Sequence, residues 1–177
     1  MAGRIANRQF YVDLARVAYE LMASIRPQTT FKFIEEAELE EADAWRLHPD
    51  RQVGWCWRAV LRQERKVYKR FEVALWHGGV LCGLMVCRVS DARVNINVKF
   101  IEGPPFDHPL KGTLLQLAVA QAEVYAGVIG ASSVAIHKPI PEIAHLYEAL
   151  GYEMVYRDRA KVTKGLKPRY DLLVKAL

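Results

Sequence analysis

Apolar residues recur at every second position on both sides of a nearly continuous apolar run between Phe71 and Phe100, and this pattern constrains the chain more than any other. Phe71, Val73 and Leu75 alternate with Glu72, Ala74 and Trp76, as in a strand. His77-Gly78-Gly79 forms a hairpin turn. Val80 to Val89 is almost wholly apolar, the signature of a central strand covered on both faces. After Ser90-Asp91-Ala92, the residues Val94, Ile96, Val98 and Phe100 alternate with Arg93, Asn95, Asn97 and Lys99. Three antiparallel strands are the consequence. Glu102-Gly103-Pro104-Pro105 ends the third. Leu110 to about Val128 then carries helical spacing in Leu114, Leu117, Ala118, Gln121 and Val124, closed by Gly130, and Ser133 to His137 is a short strand. A helix of that length is the connection that parallel strands need. Val94–Phe100 and Ser133–His137 are therefore expected as parallel neighbours in an α/β (α+β) fold. Its sheet is mixed, mostly antiparallel and flanked by helices.

The flanking segments read less sharply. A helix from near Asn7 places Phe10, Leu14, Val17, Ala18 and Leu21 on one face. Phe31–Ile34 suggests a strand, Glu35–Leu47 a helix, and Val53–Arg70 a helix with Trp57, Val60 and Leu61 inward and a basic outer side. Pro141 suits the first turn of a short helix in which Ile143, Leu146, Tyr147 and Leu150 share a face. Gly151 takes the left-handed cap position, and Tyr152, Met154 and Tyr156 alternate as a strand. A last strand is expected near Tyr170–Val174. A length of 177 residues suits a single domain spanning 1–177. No run of about 18 apolar residues occurs, so no membrane span is expected. With no apolar run before Asp13 and an odd count of three cysteines, a reducing, cytoplasmic setting is expected. Cys82 and Cys87, five apart in one strand, should face opposite ways.

"Gly-Val-Leu-Cys-Gly-Leu" at Gly79–Leu84 and "LYEALGYE" at Leu146–Glu153, set in this order of elements, resemble the GCN5-related N-acetyltransferase superfamily. The resemblance implies that the two parallel strands splay apart. It implies acetyl-CoA as co-substrate, its pantetheine arm along the edge of the fourth strand at Val98 and Phe100. Its pyrophosphate would lie on backbone N–H groups at the following helix start, at Lys111, Gly112 and Thr113. It makes Tyr147 the acid for the departing thiolate and Glu102 a base acting through water, with Glu72 a further base candidate. The phosphate segment "HPLKGTLL", His108–Leu115, departs from the family pattern. Gly112 fits, Pro109 stands where Arg or Gln is usual, and Leu114 replaces a small residue and is expected to crowd the phosphate path. Ile140 stands where many members carry asparagine.

The implied function is transfer of an acetyl group to an unidentified amine. A non-enzymatic reading stands beside it: a GNAT-like module in a larger protein assembly or homo-oligomer. Such compact chains also resemble products of tailed bacteriophages, which suits either reading. A third is nucleic-acid association through 51–70, where Arg58, Arg62 and Arg65 accompany Trp55 and Trp57, consistent with a formal charge of +5. Tyr147 reads equally as a packing residue at a helix–sheet junction, and Glu102 as a solvated loop carboxylate. Arg93, Asn95, Asn97 and Lys99 make one side of the fourth strand polar, which suits a wet cleft. His137 and His145 lie on different elements with no third ligand, so no metal is expected.

Overall fold

Seven strands form one sheet in the order β1-β2-β3-β4-β5-β7-β6 in the computed structural model, which describes residues 2–177. The strands are β1 (Thr29–Lys32), β2 (Arg70–His77), β3 (Val80–Val89), β4 (Asn95–Glu102), β5 (Ser133–His137), β6 (Glu153–Met154) and β7 (Leu172–Ala176). The helices are α1 (Ala2–Ile25), α2 (Glu36–Asp43), α3 (Trp57–Glu64), α4 (Leu114–Ile129), α5 (Ala144–Ala149) and α6 (Tyr156–Thr163). Every pairing is antiparallel except β4 with β5, which run parallel. This is the mixed sheet that the meander and the crossover helix require. Gly78 and Gly79 both have positive φ, so the two-residue turn between β2 and β3 has the twist that hairpins favour.

Two apolar layers sandwich β3. On one face α1 and α4 bring Tyr11, Tyr19, Leu117 and Tyr125 against Phe71, Met85, Ile96 and Val134. The Tyr125 ring stacks on Phe71 at 3.9 Å. On the other, Ile34, Leu39, Trp45, Trp57 and Leu61 pack on Ala74, Leu84 and Val86. At about 1.5–3 kcal/mol for each fully buried large aliphatic or Phe side chain, these layers carry most of the favourable folding energy. On β4 the second layer reaches only Phe100, packed with Trp55, and among the described residues none of β5 belongs to it.

Several local readings are corrected. The buried face of α1 is Tyr11, Ala15, Ala18, Tyr19 and Met22, while Phe10, Val17 and Leu21 are exposed. The two stripes sit side by side, and the one that wins carries aromatic rings that fit between α4 and β2. The expected helix 53–70 shrinks to Trp57–Glu64, because the chain tightens into turns at Lys66 and Val67 before β2. Cys82 and Cys87 both face the α1/α4 layer, because the pairing of β2 with β3 slips at Cys82, and they are free thiols. β6 ends at Met154, and Tyr156, 80% exposed, opens α6 instead of continuing a strand. Leu146 is exposed and Ala144 takes its place in the buried face of α5.

Two contacts tie the segments around the C-terminal end of β4. Glu102 accepts from Arg51 Nε at 2.6 Å, Arg51 Nη2 at 2.9 Å and Trp57 Nε1 at 2.7 Å, all in a nearly solvent-free setting. Leu114 drives its side chain into the space left by two missing Cβ atoms. A Cβ at Gly83 would meet Leu114 Cδ1 at 2.4 Å, and one at Gly103 would meet Leu114 Cδ2 at 2.4 Å.

Glu102→Ala strands a buried guanidinium and is expected to cost about 3–5 kcal/mol, read as a lower urea midpoint. Gly83→Ala is expected to cost about 1–3 kcal/mol in the parent and close to nothing in a Leu114→Ala background. Additive losses in that double-mutant cycle would show that Leu114 is not what fills the glycine space.

Candidate active site

β4 and β5 pair over only four positions, from Asn95 opposite Ser133 to Val98 opposite Ile136. Beyond them the strands part. The opening is a narrow cleft walled by Trp55, Phe100, His137, Ile140 and Tyr147. A bulge shapes it. Val86 pairs with Phe100 and Cys87 with Val98, so Lys99 is the extra residue on β4. The expected alternation therefore breaks. Val98 points into the α1/α4 layer, whereas Phe100 crosses to the other side and meets Trp55 edge-on at 5.3 Å. Of the two residues expected along the pantetheine path, Phe100 lines the gap, while Val98 is buried and is the last β4 position paired with β5.

Tyr147 reaches the cleft because its helix is short and sharply capped. Pro141 begins a single 3-10 turn that leads into α5. Gly151, at φ +88°, reverses the chain so that the Tyr152 N–H returns to the Tyr147 carbonyl at 3.1 Å. The Tyr152 ring then supports Tyr147 edge-on at 6.2 Å, and its own hydroxyl is anchored on Glu123 at 3.0 Å. Burial pushes the Tyr147 phenol up to about 12.

Glu102 lies at the end of β4 with both oxygens held by Arg51 and Trp57. Glu72 stands elsewhere, near Arg8 and Arg70 at 3.7 and 3.6 Å, with its carboxyl pushed up by burial. Lys111, Gly112 and Thr113 do not line the cleft; they form the approach to α4. Gly112 has φ +82° and open space around it. The N–H groups of Lys111, Thr113 and Leu114 already donate to the carbonyls of His108 and Leu110. The Thr113 hydroxyl turns back to Leu110 and leaves the first turn of α4 without a side-chain cap. Leu114, expected to crowd the phosphate path, points away from it into the gap over Gly83 and Gly103. A first turn with uncapped N–H groups beside an unobstructed glycine fits an anion such as a pyrophosphate.

Sequence reasoning weighs His137 only as a metal ligand and Lys99 only as part of a polar strand face. The structure sets both on the cleft wall. The signal for His137 is its position as the last residue of β5, where the splay begins. Burial, then Lys99 and Lys138, depress its pKa. Among the described residues no three His, Cys, Asp or Glu side chains gather as a metal site. Four of the seven basic residues of 51–70 are paired internally, Arg70 with Glu72 at 3.6 Å among them. Arg58 binds Asp43 and Glu36, Arg51 binds Glu102, and Lys69 binds Asp91.

No protein-family model matches the sequence, and no curated protein does. Solved structures do match in shape. An acetyltransferase from Thermus thermophilus is 14% identical, with 85% of this chain and 97% of that one covered and a TM-score of 0.61. Mutant forms of the spermidine/spermine N-acetyltransferase SpeG from Vibrio cholerae are 14% identical over 85% and 94%, at 0.56. The ribosomal-protein-S18-alanine N-acetyltransferase from Escherichia coli is 18% identical over 84% and 92%, at 0.55. With the parallel β4–β5 pair, the splay beyond it and the crossover helix all in place, the chain has the fold of the GCN5-related N-acetyltransferases.

Proposed function

We propose that the protein transfers an acetyl group from acetyl-CoA to an amine. One juxtaposition carries the reading: a buried phenol, Tyr147, stands on the wall of the gap where β4 and β5 cease to pair. From Lys99 onward the β4 edge facing that gap lacks a strand partner, and an extended amide chain can add to such an edge. Trp55, on the same wall, has an indole N–H that is buried without an acceptor.

Bound acetyl-CoA supplies an activated carbonyl and a sulfur leaving group. The protein supplies the proton transfers. His137 takes the proton from the attacking amine at a ring nitrogen, since its depressed pKa keeps the imidazole neutral at pH 7. Tyr147, kept protonated by burial, gives its hydroxyl proton to the departing sulfur. Glu102 suits the role of base less well, because its oxygens are engaged by Arg51 and Trp57. Gly112 and the first turn of α4 hold the pyrophosphate, with Lys111 adding charge.

Acetyl-CoA at 100 times its Kd is expected to stabilise the protein by about 2.7 kcal/mol, which raises Tm by roughly 5–10 °C. Tyr147→Phe should leave that shift and the parent Tm nearly unchanged while lowering kcat by about 100- to 10,000-fold. No binding at millimolar acetyl-CoA would overturn the reading and leave a binding module with this fold. Full activity in Tyr147→Phe would reduce the tyrosine to packing.

The pH profile follows from the directions of the two shifts. A base must be deprotonated, so kcat/KM should fall as pH drops through the His137 value, placing the acid limb below the ordinary histidine range near 6.5. Tyr147 sets no alkaline limb below about 12. His137→Gln should abolish the acid limb. A profile unchanged by that substitution would remove His137 as the base.

A further inference from the structure

Where the second layer thins beyond β3, the sheet carries an open depression of about 460 Å³, lined by Lys69, Arg88, Asp91, Asn97, Lys99 and His137 among others. It adjoins the cleft that holds Tyr147, because Lys99 and His137 line both. Its lining carries three cations, Lys69, Arg88 and Lys99, against one carboxylate, Asp91. Arg88 is matched by Glu64 in a two-bond pair at 2.6 and 2.6 Å, and Lys69 by Asp91 at 3.0 Å. Lys99 and neighbouring Lys138 enter no ion pair among the described residues. Asp171 is the one further acidic group acting on His137. Burial and the nearby Arg88 lower the Lys99 pKa, so the ammonium sits in a place that disfavours it. An ammonium without an ion-pair partner, set at a partly buried position beside an already paired guanidinium, makes a site that an anion stabilises.

From this geometry we infer that the depression holds the anionic group, carboxylate or phosphate, of a small amine acceptor, whose amino group extends into the adjoining cleft. This rests on the acyltransferase reading for the amine and on the depression alone for the anion. Lys99 donates to the anion from the bulge of β4, and Asn97 adds a neutral donor beside it. Lys99, the bulged residue of β4, lines both cavities. A polyamine, the acceptor named for the Vibrio cholerae enzyme, would meet repulsion here.

Two measurements separate the inference from the reading beneath it. The first needs no acyl transfer. Inorganic phosphate and acetate are titrated at constant ionic strength while the His137 imidazole resonances are followed by NMR. Saturable shifts are expected for at least one anion, and the stronger of the two identifies the group. Lys99→Gln should weaken that binding about 10- to 100-fold, with an unchanged circular dichroism spectrum. No saturable shift, or one indifferent to Lys99→Gln, overturns the site. The second compares acceptors by free-thiol release: an amino acid, an aminoalkyl phosphate, the amide of that amino acid, and spermidine. An acid-bearing amine should exceed the amide by about 10- to 100-fold in kcat/KM, and Lys99→Gln should collapse that ratio, from which any effect on acetyl-CoA cancels. Preference for spermidine or the amide overturns the anionic acceptor while leaving acetyl transfer intact. Thiol release with none of the four, together with no acetyl-CoA binding, fails the acyltransferase reading, and the NMR titration still decides the anion site.

Discussion

Four register positions, Asn95–Val98 against Ser133–Ile136, hold the two halves of the sheet together. To one side lie β1 to β4, to the other β5, β7 and β6. Everything that gives the molecule a site follows from how soon that ladder stops. Had it continued, β4 would be an interior strand and its backbone groups would be satisfied by β5. Because it stops, strand-edge groups, the Phe100 ring, His137 and Tyr147 face a common gap. The core permits this because α1 and α4 cover the paired region on one face, with Ile96, Val98, Val134 and Ile136 buried beneath them.

The bulge at Lys99 has a second consequence. An unbroken β4 would keep Val98 and Phe100 on one face and Lys99 on the other. Inserting one residue sends Phe100 and Glu102 to the α3 side, where Trp55 and Trp57 receive them. Glu102 then works as a structural anchor. It is shielded from water, and its charge is satisfied by a bidentate guanidinium and an indole N–H, which fastens the segment Arg51–Trp57 to the end of β4. The same kind of commitment explains the basic stretch 51–70. Four of its seven basic residues, Arg51, Arg58, Lys69 and Arg70, face carboxylates of the protein itself, while Arg62, Arg65 and Lys66 enter no ion pair among the described residues.

The approach to α4 shows how a departure from a family pattern can be absorbed. A leucine where a small residue is usual would obstruct a phosphate if it pointed outward. Here Gly83 and Gly103 vacate the space beneath it, and Leu114 packs inward against the sheet. The adjacent Gly112 keeps a left-handed conformation with nothing near it. What remains is a helix start with fewer available N–H groups than a fully open one. Those of Lys111, Thr113 and Leu114 are already used by the turn.

Strand periodicity from Phe71 to Phe100, the Gly78-Gly79 turn and the length of the crossover helix determined the sheet type, because alternation over most of a strand and loop length are local properties. "LYEALGYE" likewise located Tyr147 and its glycine cap, since capping is set within one turn of helix. Other features depended on tertiary contacts. Which of two apolar stripes of α1 is buried was decided by the aromatic surface offered by β2 and α4. Both bulges, at Cys82 and Lys99, arise from register between strands, which a single strand's pattern does not encode. The electrostatic surroundings of Glu102, Lys99 and His137 were decided by which charges the fold set near them. A carboxylate among donors became an anchor, and a lysine was left without an ion-pair partner where two cavities meet. Electrostatic partnership is a matter of distance in space, and residues 51 and 102 acquire theirs only when the chain is folded.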